Sequence, residues 1–303
     1  MTPWPTPQQL RYLLALAEHA HFGRAADACA VTQSTLSAGI LTLERQLDAA
    51  ILDRGASKRV VFTSLGREMV ERARVAMAAL TAIVETADAA RSPLSGPLRL
   101  GVIPTVGPFL LPRLVPALRT AFPRLRIYLR EDTTERLLDR LGGGALDLAL
   151  LALPCACAGS ETLPVARDDF LAALPPGHKL AALGIIPITA LAAEPLLLLE
   201  DGHCLRDQAL HACGFARGQT PAGEGFAATS LHTLVHMVAG GLGITLLPRI
   251  AVAAGIATGT GIELRPLSGL GTHRMLGLAW RPDTPRAADY RAMAPVLAAA
   301  CLD

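Results

Sequence analysis

The chain has 303 residues, 51% of them hydrophobic and 18% charged, with a formal net charge of +2. That is enough apolar material for two or three modest domains, and it excludes a disordered chain. No run approaches the ~20 uninterrupted apolar residues of a membrane span, and the N-terminus lacks the basic-then-apolar order of a secretory signal, so a cytoplasmic protein with no membrane partner is expected.

The stretch Pro7 to Gly66 reads as short helices. Leu10, Leu13, Leu14, Leu16 and Ala17 give one helical apolar face, and Phe22, Ala25, Ala26 and Ala28 begin another after a loop at His19 to His21. A third helix starts at Thr32 or Gln33, with Leu36, Ile40, Leu43 and Leu47 in helical rhythm and Ser34 and Thr35 at its beginning. A small Ala-rich helix followed by one opening on Ser and Thr fits a helix-turn-helix. Arg54 to Thr63 has a basic turn and then alternation, as in a hairpin wing. In such motifs the first residues of the second helix reach base edges while basic residues hold phosphates. Gln33, Ser34, Thr35 and Ser37 are therefore the candidate base-reading residues, with Arg54, Lys58 and Arg59 as backbone contacts. Simple helix capping would equally explain Ser34 and Thr35, and a solvated loop would explain Lys58 and Arg59.

Arg67 to Ala90 holds no Gly or Pro and carries a stripe of Met69, Ala73, Ala76, Leu80, Ile83, Val84 and Ala87. A long helix with such a stripe must bury it, either against a copy of itself or inside a domain. The Pro/Gly/Ser-rich run from Ser92 to Pro97 then reads as a hinge. These signals divide the chain into a DNA-binding domain at 1–66, a linker helix at 67–91, a hinge at 92–97 and a final domain at 98–303.

Beyond the hinge the pattern becomes strand (98–103), helix (108–121), strand (126–131), helix (134–141) and strand (147–153). This alternation predicts a parallel sheet covered by helices on both faces. Ligands bind such sheets beyond the carboxyl ends of the strands, so Thr105 and Thr134, which follow the first and second strands, should face one cleft. Further strands are expected at 171–174, 196–199, 243–248 and 275–280, with a helix from Ser230 to Ala239.

Two cysteines share one short segment between these elements. If Asp201 or Gly202 opens a helix, Cys204 lies in its first turn and Cys213 at its last residue, before the stop signal Gly214. A helix start with His203 and Arg206 alongside favours a thiolate at Cys204, the species that attacks peroxides and disulfides. Nine helical residues rise about 13.5 Å, whereas a disulfide needs Cα atoms within about 7 Å. The two cannot pair unless the segment unwinds. From spacing alone, however, both could be small buried apolar residues. Cys155-Ala156-Cys157 lacks the spacing of a metal site and reads as a strand-end loop whose pair can interfere in disulfide formation during oxidation, Cys29 as packing, and Cys301 as part of an exposed tail. The His residues form no spaced metal cluster, and no cofactor or metal is expected.

The run Glu200 to Ala209, EDGHCLRDQA, resembles the redox loop of the OxyR family of peroxide sensors within the LysR-type transcriptional regulators. Gly101 to Pro112 and Thr229 to Pro248 resemble the same family, the latter motif being widespread among LysR-type proteins. Ser34-Thr35-Leu36-Ser37 is similar to the start of that family's recognition helix. The resemblance implies an α/β fold made of an N-terminal winged helix-turn-helix, a long linker helix and a two-lobed sensor domain of the periplasmic-binding-protein-like type 2. It implies a homodimer or homotetramer on double-stranded promoter DNA, working with RNA polymerase, with hydrogen peroxide as signal and a cellular dithiol as resetting reductant. Cys204 would then be the peroxidatic residue and Cys213 its resolving partner. Thr105, Thr134, His203, Gln208 and Arg274 would be candidates for the peroxide pocket, although Arg274 also reads as a surface strand residue. The chain departs from the family at Gly39, Leu41 and Thr42, where polar or charged residues are common, and at Asp48, where Gly is common. A regulator responding to a metabolite in the interlobe cleft, with incidental cysteines, and a thiol peroxidase are the competing readings. The helix-turn-helix and linker argue against the enzyme.

Overall fold

The computed structural model describes residues 4–53, 60–91, 93–155, 157, 159–215 and 227–302. They form two compact units, Met1–Ala87 with Gly142–Ala145, and Asp88–Leu141 with Leu146–Asp303.

In the first unit α1 (Pro7–His19) starts on a capping box. The Thr6 side chain accepts from the Gln9 backbone, and the Gln9 side chain accepts in return from the Thr6 backbone. The α2 helix (Phe22–Ala28) is capped by His21, whose Nδ1 accepts from the Gly23 and Arg24 amides. The cap of α3 (Gln33–Leu47) is Thr32, whose Oγ1 accepts from the Thr35 amide. Leu13, Leu16, Leu36, Ile40 and Leu43 are buried at the centre of this helix-turn-helix. Gly39 has a packing reason for being small: a Cβ there would stand 2.6 Å from the Tyr12 ring. Asp48 closes α3 in the left-handed conformation at φ 48°, a role that Asp tolerates and Gly fills most easily. A wing follows, with Leu52 bridged antiparallel to Phe62. Glu44 anchors it from α3, its buried carboxylate accepting from the amides of Ile51 (2.9 Å) and Leu52 (3.1 Å). The turn carrying Arg54, Lys58 and Arg59 lies outside the described residues. The long helix α4 (Ser64–Arg91) begins three residues before its sequence-based start, because the Thr63 hydroxyl accepts from the Gly66 amide. Val70 and Ala73 are buried against the helix-turn-helix core, while Leu80, Ile83 and Val84 of the stripe are exposed.

The second unit begins with β1 (Gly96–Val102), α5 (Gly107–Ala121), β2 (Leu125–Glu131), α6 (Thr134–Gly142) and β3 (Leu148–Leu153). The strands lie parallel in the order β2–β1–β3, as the alternation predicts. The sheet as a whole is mixed, which corrects the purely parallel expectation. Strand β10 (His273–Trp280) inserts antiparallel between β3 and β4 (Glu161–Leu174). Strand β4 is much longer than the expected 171–174. Its first part pairs with β10, and Phe170–Leu174 then pairs with β8 (Thr245–Pro248) and β9 (Glu263–Ser268). One strand therefore runs from the first lobe into the second. The second lobe also holds β5 (Ile186–Pro187) beside β9, the parallel pair β6 (Leu198–Leu199) and β7 (Ala227–Ala228), and the helices α7 (Cys204–Ala212), α8 (Leu231–Ala239) and α9 (Arg249–Ala253). A final helix, α10 (Ala287–Leu302), packs Tyr290, Met293 and Leu297 into the core. Cys301 is half-buried on this helix, so the expected exposed tail is a packed element. Among the described residues no helix is long and apolar enough to cross a membrane.

Candidate functional site

The α7 helix is a local consequence of its end signals. Asp201 and Gly202 form the preceding turn, with Gly202 at φ 92°, and His203 is the N-cap residue, making no side-chain capping bond. Arg206 braces this turn, its guanidinium meeting the Asp201 carboxylate at 3.0 Å and donating to the Leu199 carbonyl at 3.2 Å. At the other end the Phe215 amide donates to the Leu210 carbonyl and the Gly214 amide to the His211 carbonyl, with Gly214 at φ 82°. This is a Schellman closure, and Cys213 is its C-cap residue.

The two ends differ in surroundings. Cys204 is partly exposed and its Sγ lies 2.6 Å from Thr134 Oγ1, the first residue of α6. Two helix N-termini thus meet at one sulfur. They open onto a pocket of about 720 Å³ lined by Thr134, Pro154, Cys155, Gly202, Cys204 and Gln208, with the exposed carboxylates of Glu135, Asp139 and Asp207 at its rim. Gln208 faces it with a buried Oε1 that has no hydrogen-bond partner among the described residues. His203 does not line the pocket. Cys213, by contrast, is 5% exposed, and burial pushes its thiol up to about 11. The adjacent Ala212 is pressed by the turn before β10, where a Cβ on Gly271 would come 3.2 Å from the Ala212 Cα.

Thr105 and Arg274 are brought together, in a buried network beside the strands rather than in the pocket wall. Arg274 donates from Nη1 to Thr105 Oγ1 at 2.8 Å, from Nη2 to the Thr105 carbonyl at 3.0 Å, and from Nε to Asp168 at 2.9 Å. The other Asp168 oxygen accepts from the Ile250 amide at 3.0 Å. The Arg274 side chain is 0% exposed, so it is no surface strand residue; a buried guanidinium needs its carboxylate and acceptors. On the first unit Gln33, Ser34, Thr35 and Ser37 are exposed together at the start of α3. The Thr32 hydroxyl, not theirs, makes the capping bond, and the Ser34 and Thr35 hydroxyls lie 2.9 and 2.8 Å from it.

Comparison with known proteins finds two matching families along the chain. Residues 7–67 match the bacterial regulatory helix-turn-helix protein, lysR family, and residues 91–302 match the LysR substrate binding domain. The DNA-binding transcriptional dual regulator OxyR of Escherichia coli is 42% identical over 96% of this chain and 94% of its own. The chain belongs to the OxyR branch of the LysR-type transcriptional regulators. A probable hydrogen peroxide-inducible genes activator of Mycobacterium leprae is 41% identical over 97% of this chain and 93% of its own. Full-length OxyR from Pseudomonas aeruginosa, solved as a cysteine-to-aspartate variant, matches with a TM-score of 0.78 at 36% identity, covering 97% of this chain and 95% of that one. An H2O2-bound Corynebacterium glutamicum OxyR variant matches with a TM-score of 0.67 at 31% identity, covering 99% and 94%.

Sequence reading omitted two structural groups. Asp168 binds Arg274 and the Ile250 amide across the fold, and Glu44 accepts from the Ile51 and Leu52 amides just beyond its own helix. Cys155 reads from sequence as a strand-end residue in a pair able to interfere in disulfide formation, and the fold sets it in the wall of the Cys204 pocket.

Proposed function

We propose that this LysR-type regulator senses hydrogen peroxide through Cys204 and Cys213 and converts their oxidation into a change in promoter binding. The observation that carries the reading is the Cys204 sulfur held 2.6 Å from the Thr134 hydroxyl in an open pocket, with Cys213 buried at the far end of the same helix. Peroxide offers two O–H donors and several lone pairs. Gln208 Oε1 has acceptor capacity for one O–H, and the Thr134 oxygen can accept the other while its own hydrogen is donated to the Cys204 sulfur. The rim carboxylates favour a neutral oxidant over an anionic metabolite.

Attack of the Cys204 thiolate on one oxygen forms the S–O bond and breaks O–O, and the departing hydroxide leaves as water once protonated. Helix-start amides stabilise charge developing at such a site. Thr105, fixed by Arg274, and the neighbouring His203 are assigned supporting roles in shaping this region. The Cys213 sulfur then displaces water from the sulfenic acid, and the disulfide forms. Because α7 holds the two Cα atoms about 13.5 Å apart, this second step requires α7 to unwind, and that movement is the signal.

In the DNA-binding unit, Gln33, Ser34, Thr35 and Ser37 are proposed to face base edges, with Arg54, Lys58 and Arg59 on phosphates. The exposed apolar stripe of α4 supports assembly into a homodimer, or a tetramer built from it. RNA polymerase as downstream partner, a cytoplasmic dithiol as reductant and the cytoplasm as location complete the reading. The test is peptide mapping of reduced protein after stoichiometric hydrogen peroxide, beside Cys204→Ser. A rapid Cys204–Cys213 disulfide, absent in the variant, is expected. Free thiols at both positions in protein that still binds DNA would refute the reading.

A further inference from the structure

The Cys204 pocket contains more sulfur than the sensing pair. Cys155 lines it, at the carboxyl end of β3, and is closely paired with Cys157, their Cα atoms 5.1 Å apart and within disulfide range. Cys213 can be reached from Cys204 only by dismantling α7 and its Schellman closure. Cys155 stands in the wall of the pocket that Cys204 also lines.

We propose that Cys155 and Cys157 form a second redox couple that takes oxidising equivalents from Cys204 and competes with Cys213. The proposal rests on Cys204 being the peroxide-reactive thiol. Starting from reduced Cys155 and Cys157, the Cys155 sulfur attacks the Cys204 sulfenic acid. An S–S bond forms between them, the S–O bond breaks, and water leaves. The Cys157 thiolate then attacks the Cys155 sulfur, forming the Cys155–Cys157 disulfide and releasing Cys204 as a thiol. In sum, one peroxide is reduced to two waters while two thiols become one disulfide. A cellular dithiol returns the couple to thiols by ordinary exchange, its own sulfurs becoming the new disulfide. Equivalents sent this way leave α7 intact, so the couple drains weak peroxide doses before they trigger the switch.

The experiment uses full-length protein reduced to free thiols, given stoichiometric hydrogen peroxide and mapped as non-reduced peptides over time. Sulfenic acid is trapped with dimedone in parallel. In Cys213→Ser, the Cys155–Cys157 disulfide is expected to form about tenfold or more faster than in Cys204→Ser. In Cys157→Ser/Cys213→Ser, a Cys204–Cys155 mixed disulfide should accumulate. The proposal is overturned if Cys213→Ser holds a lasting or overoxidised Cys204 while Cys155 and Cys157 stay thiols. It is equally overturned if they oxidise as fast without Cys204, or resist reduction at the outset. Wild-type protein separates the two levels: an unreactive Cys204 there defeats the peroxide reading itself, whereas a reactive Cys204 beside inert Cys155 and Cys157 defeats only the couple.

Discussion

The two ends of α7 carry the same side chain in opposite settings. Cys204 begins the helix, partly exposed and hydrogen-bonded to Thr134 over an open pocket. Cys213 ends it, buried, with its thiol raised to about 11 by loss of solvent. The contrast shows that reactivity here is assigned by position in the fold rather than by residue type. It also makes the helix a latch. The second cysteine stays protonated and unreachable until the backbone between the two gives way, so resolution of the sulfenic acid and conformational change are one event.

Replacing Cys204 by Ser should break the contrast outright: peroxide-dependent disulfide formation with Cys213 disappears, as read by non-reducing peptide mapping. Thr134→Val removes the hydroxyl at Cys204 and keeps its shape. Losing the group that positions peroxide, about 1.4 kcal/mol of transition-state stabilisation, should slow Cys204 oxidation about tenfold in stopped-flow measurements, and losing the resting hydrogen bond should lower stability by about 1 kcal/mol. Gly214→Ala weakens the other end. An L side chain at φ 82° costs about 1 kcal/mol, so the unwound segment should be about fivefold more populated. Disulfide closure after sulfenic acid formation should quicken accordingly, while the first oxidation step keeps its rate.

The smallest effect is a pH dependence. The Cys213 thiol is raised in the fold from 9.0 to about 11. Its burial therefore contributes stability that is full below about 9 and is lost as pH rises through about 11. The thermal midpoint of the reduced protein should fall more steeply over this window than that of Cys213→Ala. Cys301, also raised to about 11, contributes equally to both proteins and drops out of the difference. Parallel curves would remove the burial argument.

Much of this was legible in the sequence because the signals are local. The apolar rhythm of α1 and α3, the strands at β1 to β3, and the stop at Gly214 each follow from neighbouring residues. The redox helix followed from its cysteines, its turn and its resemblance to a known motif. What escaped depends on distant partners. Arg274 and Asp168 are 106 residues apart, so an arginine on a strand read as exposed when it is fully buried. Most of β4 has a polar, charged alternation that shows only its apolar end, since its pairing with β10 is made by backbone groups. Gly39 reads as a departure from the family pattern, and only the Tyr12 ring against it gives the reason. The Cys155–Cys157 pair is recognisable in sequence as a source of disulfide interference, and only the fold shows Cys155 in the wall of the Cys204 pocket.

The central claim is that oxidation and unwinding of α7 are a single transition. Amide hydrogen exchange over residues 204–215, in reduced and peroxide-treated protein, tests it most directly. The account predicts protected α7 amides in the reduced form, loss of that protection together with the Cys204–Cys213 disulfide, and no change in Cys204→Ser. A peroxide-treated protein that carries the disulfide and keeps α7 protected would contradict it.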